Sequence, residues 1–223
     1  MKADIVTYPD RELLALSLAD RIAQELRQHL ASHGRASLCV PGGSSPVPLF
    51  ESLAALDLDW ENVTVFLNDE RWVPRSNPRS NSAMLRAHLL QGPAAAAQYL
   101  DLYTGAETPA EAAPALTEAL ADHLPITVLI LGMGKDLHTA SLFPGAPGIE
   151  QLLAADAPAV MQAAGGSEPR ITLTCPALKS ALFGHLVIMG AEKREALENA
   201  RGDDPVEAPI AAFIGDLTVH YAD

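Results

Sequence analysis

Short apolar runs alternate along the chain with longer segments in which apolar residues recur every three or four positions. The longest segment begins after Asp10, a residue type that caps helix N-termini, and its apolar stripe consists of Leu14, Leu18, Ile22, Leu26 and Leu30. Further helices are predicted at residues 46–56, 81–90, 109–123 and 191–200. The short apolar runs predict strands at residues 5–8, 37–40, 63–67, 127–131, 171–174, 186–189 and 217–220.

Strands and helices alternate in the order that builds a parallel sheet. Because such a sheet buries both of its faces, its strands are apolar throughout and helices cover it on both sides. We therefore expect an α/β fold, a three-layer sandwich with a mostly parallel sheet and helices on both faces. No internal repeat or linker interrupts the pattern, so residues 1–223 are expected to form one domain. Residues 92–98 are interpreted as an alanine-rich connection and residues 154–167 as a loop-like insertion.

The charge of the chain narrows its possible partners. Its 223 residues include 28 Asp and Glu against 15 Lys and Arg, which gives a formal net charge of −13. Such an acidic surface repels polyanions, so neither nucleic acid nor an anionic membrane is expected as a partner. A small anionic ligand would need a local cluster of basic residues to overcome the overall field.

Cysteine usage and the lack of long apolar segments favour a cytoplasmic protein. Cys39 and Cys175 lie far apart and outside any zinc-binding pattern, so we favour buried free thiols over a single disulfide and expect no metal site. No apolar run is long enough to span a bilayer, and the charged N-terminus is unlike a signal peptide.

Polar residues follow the predicted strand at 37–40, at the end of a parallel sheet where ligands bind. The loop Gly42, Gly43, Ser44 and Ser45 leads directly into a predicted helix. It offers a phosphate free backbone N–H groups, hydroxyls and the positive end of a helix dipole. A plain tight turn with a serine cap is the alternative. The loop is neither a P-loop nor a dinucleotide-binding fingerprint.

Charged residues follow the strand at 63–67 as well. Asp69, Glu70 and Arg71 stand there, and two carboxylates with one guanidinium are costly to desolvate without partners. Arg71 suits bidentate recognition of a phosphate. An internal ion pair that shapes the loop is the alternative.

A histidine beside a carboxylate marks the end of the strand at 127–131. Asp136 and His138 come after a glycine turn, where an imidazole can act as a general base or play only a structural part. Two further basic residues could reach the same edge of the sheet. Arg170 stands immediately before a strand, and Lys193 stands near the start of a helix.

Together these motifs resemble the 6-phosphogluconolactonase family. The matching segments are PGGSSP (41–46), DLDWENVTVFLNDERWVP (57–74), SNSAML (80–85), LGMGKDLHTASLFPG (131–145), PRITLT (169–174) and GAEK (190–193). The resemblance implies a Rossmann-like fold related to glucosamine-6-phosphate deaminase, with neither cofactor nor metal. It also implies hydrolysis of a sugar phosphate lactone, 6-phospho-D-glucono-1,5-lactone, in the oxidative pentose phosphate pathway.

The resemblance further implies a role for each polar cluster. His138 is the expected general base, with Asp136 beside it. Arg71 and Lys193 are expected to hold the substrate phosphate, helped by the loop 42–45. Asp69 and Arg170 fall on family motif positions near the site. The backbone N–H groups of residues 132–134 are our hypothesis for the donors that stabilise the oxyanion.

The chain departs from the family pattern at two positions near the expected base. Leu137 stands where the family usually has glycine, and a leucine in left-handed geometry would cost about 1–2 kcal/mol. Lys135 adds a positive charge that could lower the pKa of His138. Because of Leu137, an inactive sugar-phosphate sensor stays as an alternative function. A sugar-phosphate deaminase or isomerase of the same fold is a second alternative, since it would also use a base and a phosphate cradle. A monomer or a small homo-oligomer is expected.

Overall fold

The structure is a computed structural model that describes residues 5–200 and 202–223. In this part of the chain the main sheet has seven strands, and every neighbouring pair is parallel. These strands are β1 (Ile5–Thr7), β2 (Ala36–Val40), β3 (Val63–Leu67), β5 (Gln98–Leu100), β6 (Val128–Gly132), β9 (Phe183–Met189) and β10 (Thr218–Ala222). Their order across the sheet is β1-β10-β9-β6-β2-β3-β5. The predicted α/β fold with a mostly parallel sheet is confirmed.

A small antiparallel sheet was not anticipated from the sequence. Its three strands, in the order β4-β8-β7, are β4 (Asp69–Arg71), β8 (Arg170–Leu173) and β7 (Val160–Ala163). The interpretation of residues 154–167 as a loop was therefore wrong, because β7 lies within them. The alanine-rich connection at 92–98 was partly wrong: it forms a short 3₁₀ helix and then runs into the edge strand β5.

Seven α-helices are present in the described ranges, and five of them agree with the predicted helices to within a few residues. They are α1 (Arg11–His33), α2 (Val47–Ala54), α3 (Asn81–His88), α4 (Pro109–Ala121), α5 (Ile149–Leu153), α6 (Cys175–Lys179) and α7 (Ala191–Asn199). Asp10 caps α1 as expected, since its Oδ1 accepts a hydrogen bond from the N–H of Leu13 at 2.8 Å. The short α5 and α6 were not predicted. Over the described residues, no helix has both the length and the apolar character needed to cross a bilayer.

The core lies between the main sheet and its helices. Leu14, Leu18, Ile22 and Leu26 of the α1 stripe are fully buried, while Leu30 at the end of the stripe is only half-buried. All residues of β2 and β3 are buried, which explains why both strands read as continuous apolar runs. Cys39 and Cys175 are buried free thiols, as expected.

The order of the strands determines where a ligand can bind. From β2 the chain adds β3 and β5 on one side, and it then returns to place β6 on the other side of β2. In open α/β sheets ligands bind in the crevice beyond the carboxyl ends of the strands, at such a reversal. The loops that follow β2, β3 and β6 are those with the polar clusters.

Candidate active site

The loops after β2, β3 and β6 enclose a cavity of about 350 Å³ at the reversal of strand order. The structure brings eight of the ten predicted site residues to its wall: Gly42, Gly43, Ser45, Asp69, Arg71, His138, Arg170 and Lys193. The other two do not line the cavity. Ser44 is not among the lining residues, and Asp136 contacts His138 without lining the cavity itself. The predicted clusters therefore converge on one site.

His138 and Asp136 form a hydrogen-bonded pair beside the cavity. Nδ1 of His138 lies 2.5 Å from Oδ1 of Asp136, and the His138 side chain is 34% exposed. Desolvation raises the pKa of the Asp136 carboxyl, but the hydrogen bond and charge of His138 outweigh it and hold this pKa below its ordinary value. Because an ionised carboxylate only accepts, Nδ1–H donates and the Nε2 lone pair stays free. Asp136 thus orients an imidazole that can act as a base.

The turn that holds this pair has strict backbone requirements. A Cβ atom on Gly134 would lie 2.2 Å from Nδ1 of His138 and 2.3 Å from Oδ1 of Asp136, so only glycine fits there. Leu137 has φ 71°, in the left-handed region that the sequence led us to consider. Its N–H donates to the carbonyl of Gly134 and its carbonyl accepts from the N–H of Ile210. The backbone therefore keeps a glycine-like conformation in spite of the leucine.

One part of the oxyanion hypothesis is wrong. The N–H of Gly134 donates to the carbonyl of His138 at 2.9 Å, which closes the turn. A donor already engaged inside the protein cannot stabilise a developing charge on a substrate. Gly134 thus has a structural role in the turn that holds His138. Its N–H is removed from the proposed oxyanion donors of residues 132–134.

Arg71 and Arg170 face each other across the small sheet. Arg71 ends β4 and Arg170 begins β8, and the antiparallel register pairs the two residues directly. Side chains at directly paired positions leave the same face of a sheet, where like charges repel. Both arginines line the cavity, and the buried Nε atom of each has no partner among the described residues. Two adjacent guanidinium groups with unused donors indicate an anion-binding site.

Asp69 holds Arg170 in place. Its Oδ2 accepts hydrogen bonds from Oγ of Ser141 at 2.5 Å and from Nη1 of Arg170 at 3.2 Å. Both charged side chains are about nine-tenths buried. Such a pair is costly to separate, because either charge would be left without compensation in the protein interior. Asp69 therefore fixes the direction of Arg170.

Glu70 organises the loop that closes one side of the cavity, a role the sequence did not reveal. It is fully buried, and its carboxylate accepts from the N–H groups of Arg71, Asn81 and Ser82 at 2.7–2.9 Å and from the hydroxyl of Ser80 at 3.1 Å. Burial raises the pKa of Glu70, although these hydrogen bonds oppose the shift. One side chain thus ties β4 to the first turn of α3.

Asn81 joins the glycine loop to the arginine cluster. Its Oδ1 accepts from Nη1 of Arg71 at 2.8 Å, and its Nδ2 donates to the carbonyl of Asp69 at 3.1 Å. A Cβ atom on Gly42 would lie 2.1–2.2 Å from the Asn81 side chain, so glycine is required for this close approach. Ser80 and Asn81 both stand at the start of α3. Ser80 is the cap, and Asn81 lines the cavity.

Lys193 supplies a third basic group at the cavity wall. It lies in the first turn of α7 and is half-buried, and desolvation together with the charge of Lys135 lowers its pKa. Lys135 itself is exposed, forms an ion pair with Glu192 and does not line the cavity. The basic cluster of the described site therefore consists of Arg71, Arg170 and Lys193.

Two more cavity residues were missed in the sequence. Phe143 contacts both halves of the site: its ring centroid lies 4.7 Å from that of His138 and 5.3 Å from the guanidinium carbon of Arg170. Asn68 is fully buried, and its Oδ1 has no partner among the described residues. Phe143 falls within the segment HTASLFP, which could have drawn attention to it. Asn68 directly follows the predicted strand at 63–67, within the matching segment 57–74, which gives a similar signal.

The fold and this cavity define an α/β protein with a site suited to a small anionic ligand. The family model described as glucosamine-6-phosphate isomerases/6-phosphogluconolactonase matches residues 9–220. The chain belongs to this family, as its motifs predicted.

Two relatives and one crystal structure show how similar the chain is to individual proteins. The chain is 42% identical to a 6-phosphogluconolactonase of Rhizobium meliloti over 220 residues, which cover 96% of this chain and 94% of the relative. It is 44% identical to the 6-phosphogluconolactonase of Pseudomonas putida, over 93% of this chain and 87% of the relative. The crystal structure of a 6-phosphogluconolactonase from Shewanella baltica superposes with a TM-score of 0.95 at 31% identity, covering 100% of this chain and 98% of that one.

Proposed function

We propose that the chain hydrolyses 6-phospho-D-glucono-1,5-lactone to 6-phosphogluconate. The observation that carries this proposal is the convergence of an oriented imidazole and three basic side chains in one cavity. The relatives named 6-phosphogluconolactonase, at 42% and 44% identity over almost the whole chain, support the same substrate. We place the reaction in the oxidative pentose phosphate pathway and in the cytoplasm, as the sequence motifs imply.

His138 acts as the general base in this proposal. Asp136 engages Nδ1, so the Nε2 lone pair removes a proton from a water molecule as that water attacks the lactone carbonyl carbon. A tetrahedral oxyanion forms and then collapses, which breaks the bond between this carbon and the ring oxygen. The imidazolium returns the proton to the ring oxygen, so that 6-phosphogluconate leaves and the base is restored. No nucleophilic side chain is needed.

The basic cluster binds the phosphate group. Asn81 and the carbonyl of Arg79 hold Nη1 of Arg71 at 2.8 and 2.7 Å, which leaves its remaining donors for the ligand. A phosphate would also relieve the repulsion between the paired arginines and restore a partner to the desolvated Lys193. Binding through the distant phosphate holds the lactone carbonyl against His138, and such positioning lowers the barrier in the transition state. The loop 42–45 completes the cradle.

Freshly prepared 6-phosphogluconolactone tests the proposal directly. We expect hydrolysis above the buffer rate, and we expect His138→Ala to lower kcat by about 10²–10⁴-fold with little change in KM. His88→Ala serves as the matched control, because His88 is a surface histidine bonded to Glu51. A rate equal to the buffer blank would overturn the proposal. Turnover of glucosamine 6-phosphate would instead select a deaminase or isomerase, and binding without turnover would select a sensor.

A further inference from the structure

A second cavity opens at the opposite end of the main sheet, where β2 and β6 begin. It has a volume of about 780 Å³ and we term it the basal cavity. Three of the seven histidines in the chain line it: His29, His33 and His123. The proposed hydrolysis uses none of them, so this concentration of imidazoles needs another explanation.

His29 and His33 are arranged as a pair. They lie four residues apart in the last turns of α1, and their rings stack with centroids 4.1 Å apart and planes 12° from parallel. Residues at this spacing share one helix face, which is how two histidines of a helix bind the same metal ion. Imidazole nitrogens bind zinc at ~2.0–2.1 Å, so the proximity of the two rings is compatible with one shared ion.

The hydrogen bond of the His33 ring also suits a bound cation. Nδ1 of His33 lies 3.2 Å from the carbonyl oxygen of His29, and since a carbonyl only accepts, Nδ1–H donates and Nε2 keeps its lone pair. Histidines that bind metals usually donate their other ring N–H to such an acceptor.

We propose that His29 and His33 form a binding site for a divalent first-row transition-metal cation, such as Zn²⁺, at the mouth of the basal cavity. Within residues 5–200 and 202–223, no group of three or more His, Cys, Asp and Glu side chains is arranged to hold a metal ion. Water therefore completes the coordination, and the bound ion clips together the last turn of α1. The net charge of −13 favours a cation over an anion at this site.

Other charged groups line the same cavity and affect whether a cation or an anion binds there. Arg35 and Asp122 line it, as does His123, whose pKa is lowered by desolvation. Arg35 opposes a cation, whereas Asp122 attracts one. If Arg35 and the histidines instead formed an anion site, inorganic phosphate would bind at the basal cavity and Zn²⁺ would not.

Calorimetric titration of the tag-free protein with Zn²⁺ tests the site. We expect one saturable event, weakened about tenfold or more by His29→Ala and by His33→Ala separately, because each removes one of two ligands. Both positions are accessible on a helix that tolerates alanine, so the variants fold. His88→Ala and His123→Ala are the controls and should leave the affinity within about threefold of the parent.

Electron paramagnetic resonance with Cu²⁺ as the probe counts the nitrogen ligands. Two equivalent imidazole nitrogens are expected in the parent protein and one in either single variant. Zn²⁺ affinity that is unchanged in His29→Ala and His33→Ala would overturn the proposal, as would a loss of binding in His138→Ala alone. An equal loss in His123→Ala would also overturn it, because the site would then lie across the cavity.

Discussion

At the scale of single residues, Leu137 shows how packing can keep an unfavourable backbone conformation next to the proposed base. A leucine in the left-handed region costs about 1–2 kcal/mol. Its side chain packs partly buried against the core, and two backbone hydrogen bonds hold it on either side. These contacts offset the strain. The leucine thus keeps the turn that brings Asp136 and His138 together.

We expect Leu137→Gly to have little effect. Glycine relieves the strain but loses the side-chain packing and adds flexibility to the unfolded chain, so the free energy of unfolding should change by less than about 1 kcal/mol. Leu137→Ala removes packing without relieving strain and should be less stable by about 1–2 kcal/mol. Urea denaturation measures both, and kcat for the lactone should stay within about tenfold. A large gain in kcat with glycine would instead show that leucine suppresses activity.

Arg71→Ala should damage recognition of the phosphate more than the chemistry. Loss of a charge-assisted contact predicts a rise in KM of about tenfold or more for the phosphorylated lactone, with a smaller change in kcat. Glucono-1,5-lactone lacks the phosphate, so its slower hydrolysis should be unaffected. Arg75→Ala is the matched control, because Arg75 pairs with Asp101 on the surface. Equal losses with both lactones would exclude a phosphate-binding role for Arg71.

At the scale of elements, the sequence predicts a strand well when the strand is buried on both faces, because its residues then form a continuous apolar run. β2 and β3 are buried throughout, and their predicted bounds differ from the structure by one residue at most. β4 and β5 are only three residues long and polar or half-buried, so no apolar run marks them. β7 forms through pairing with β8, a contact that local sequence does not encode.

The residues of the candidate site likewise divide into those that local sequence marks and those that depend on tertiary contacts. Residues in the loops that follow predicted strands, such as Arg71 and His138, could be placed at one edge of the sheet because the sheet was predicted to be parallel. Asn81 and Phe143 reach the cavity from other segments, and their place depends on how the chain folds back. The pairing of Arg71 with Arg170 needs the antiparallel sheet, which was not predicted. Tertiary contacts, more than residue type, decide these positions.

Removal of the Glu70 carboxylate should destabilise the connection between β4 and α3. Glu70→Ala leaves three backbone N–H groups without their acceptor, and each unsatisfied buried donor costs about 1–3 kcal/mol. We therefore expect urea denaturation to show a loss of at least about 3 kcal/mol, with a smaller loss for Glu70→Gln. Glu118→Ala, on the exposed face of α4, should cost less than about 0.5 kcal/mol. Comparable stability of Glu70→Ala and Glu118→Ala would contradict this role.

At the scale of the whole molecule, the negative charge of the chain and its anionic substrate are compatible because positive charge is concentrated. Three of the 15 Lys and Arg residues line one cavity of about 350 Å³. The carboxylate of Asp69 lines the same cavity and is already engaged by Arg170 and Ser141. A local field can therefore attract a small phosphate ester, while the acidic surface still repels polyanions.

A buried chain of hydrogen bonds joins distant parts of the molecule. Nε2 of His185 lies 2.7 Å from Oε2 of Glu25, and Nδ1 of His185 lies 3.1 Å from Nε2 of His220. Nδ1 of His220 lies 2.9 Å from the hydroxyl of Tyr8, while Nε of Arg21 donates to Oε1 of Glu25 at 3.0 Å. This series of hydrogen bonds links α1 to β9, β10 and the end of β1. Its titration therefore bears on the stability of the whole fold.

Burial, followed by the charges of His185 and Arg21, lowers the pKa of His220 to about 3, against an ordinary value of 6.5. Between about pH 3 and pH 6.5, the imidazole of His220 is protonated in the unfolded state but stays neutral in the folded state. The free energy of unfolding therefore falls as the pH drops below 6.5. Glu25 adds to this at lower pH, because His185 and Arg21 outweigh desolvation and lower its pKa. Acid thus weakens the fold through both groups.

We expect urea denaturation to show a loss of about 2 kcal/mol between pH 7 and pH 5, since each pH unit below 6.5 contributes up to about 1.4 kcal/mol. The ring proton resonances of His220 should not titrate above pH 5 in the folded protein. His220→Asn should reduce this dependence of stability on pH. If stability were flat across this range, or if His220 titrated near pH 6.5, the buried imidazole would not be held neutral by the fold.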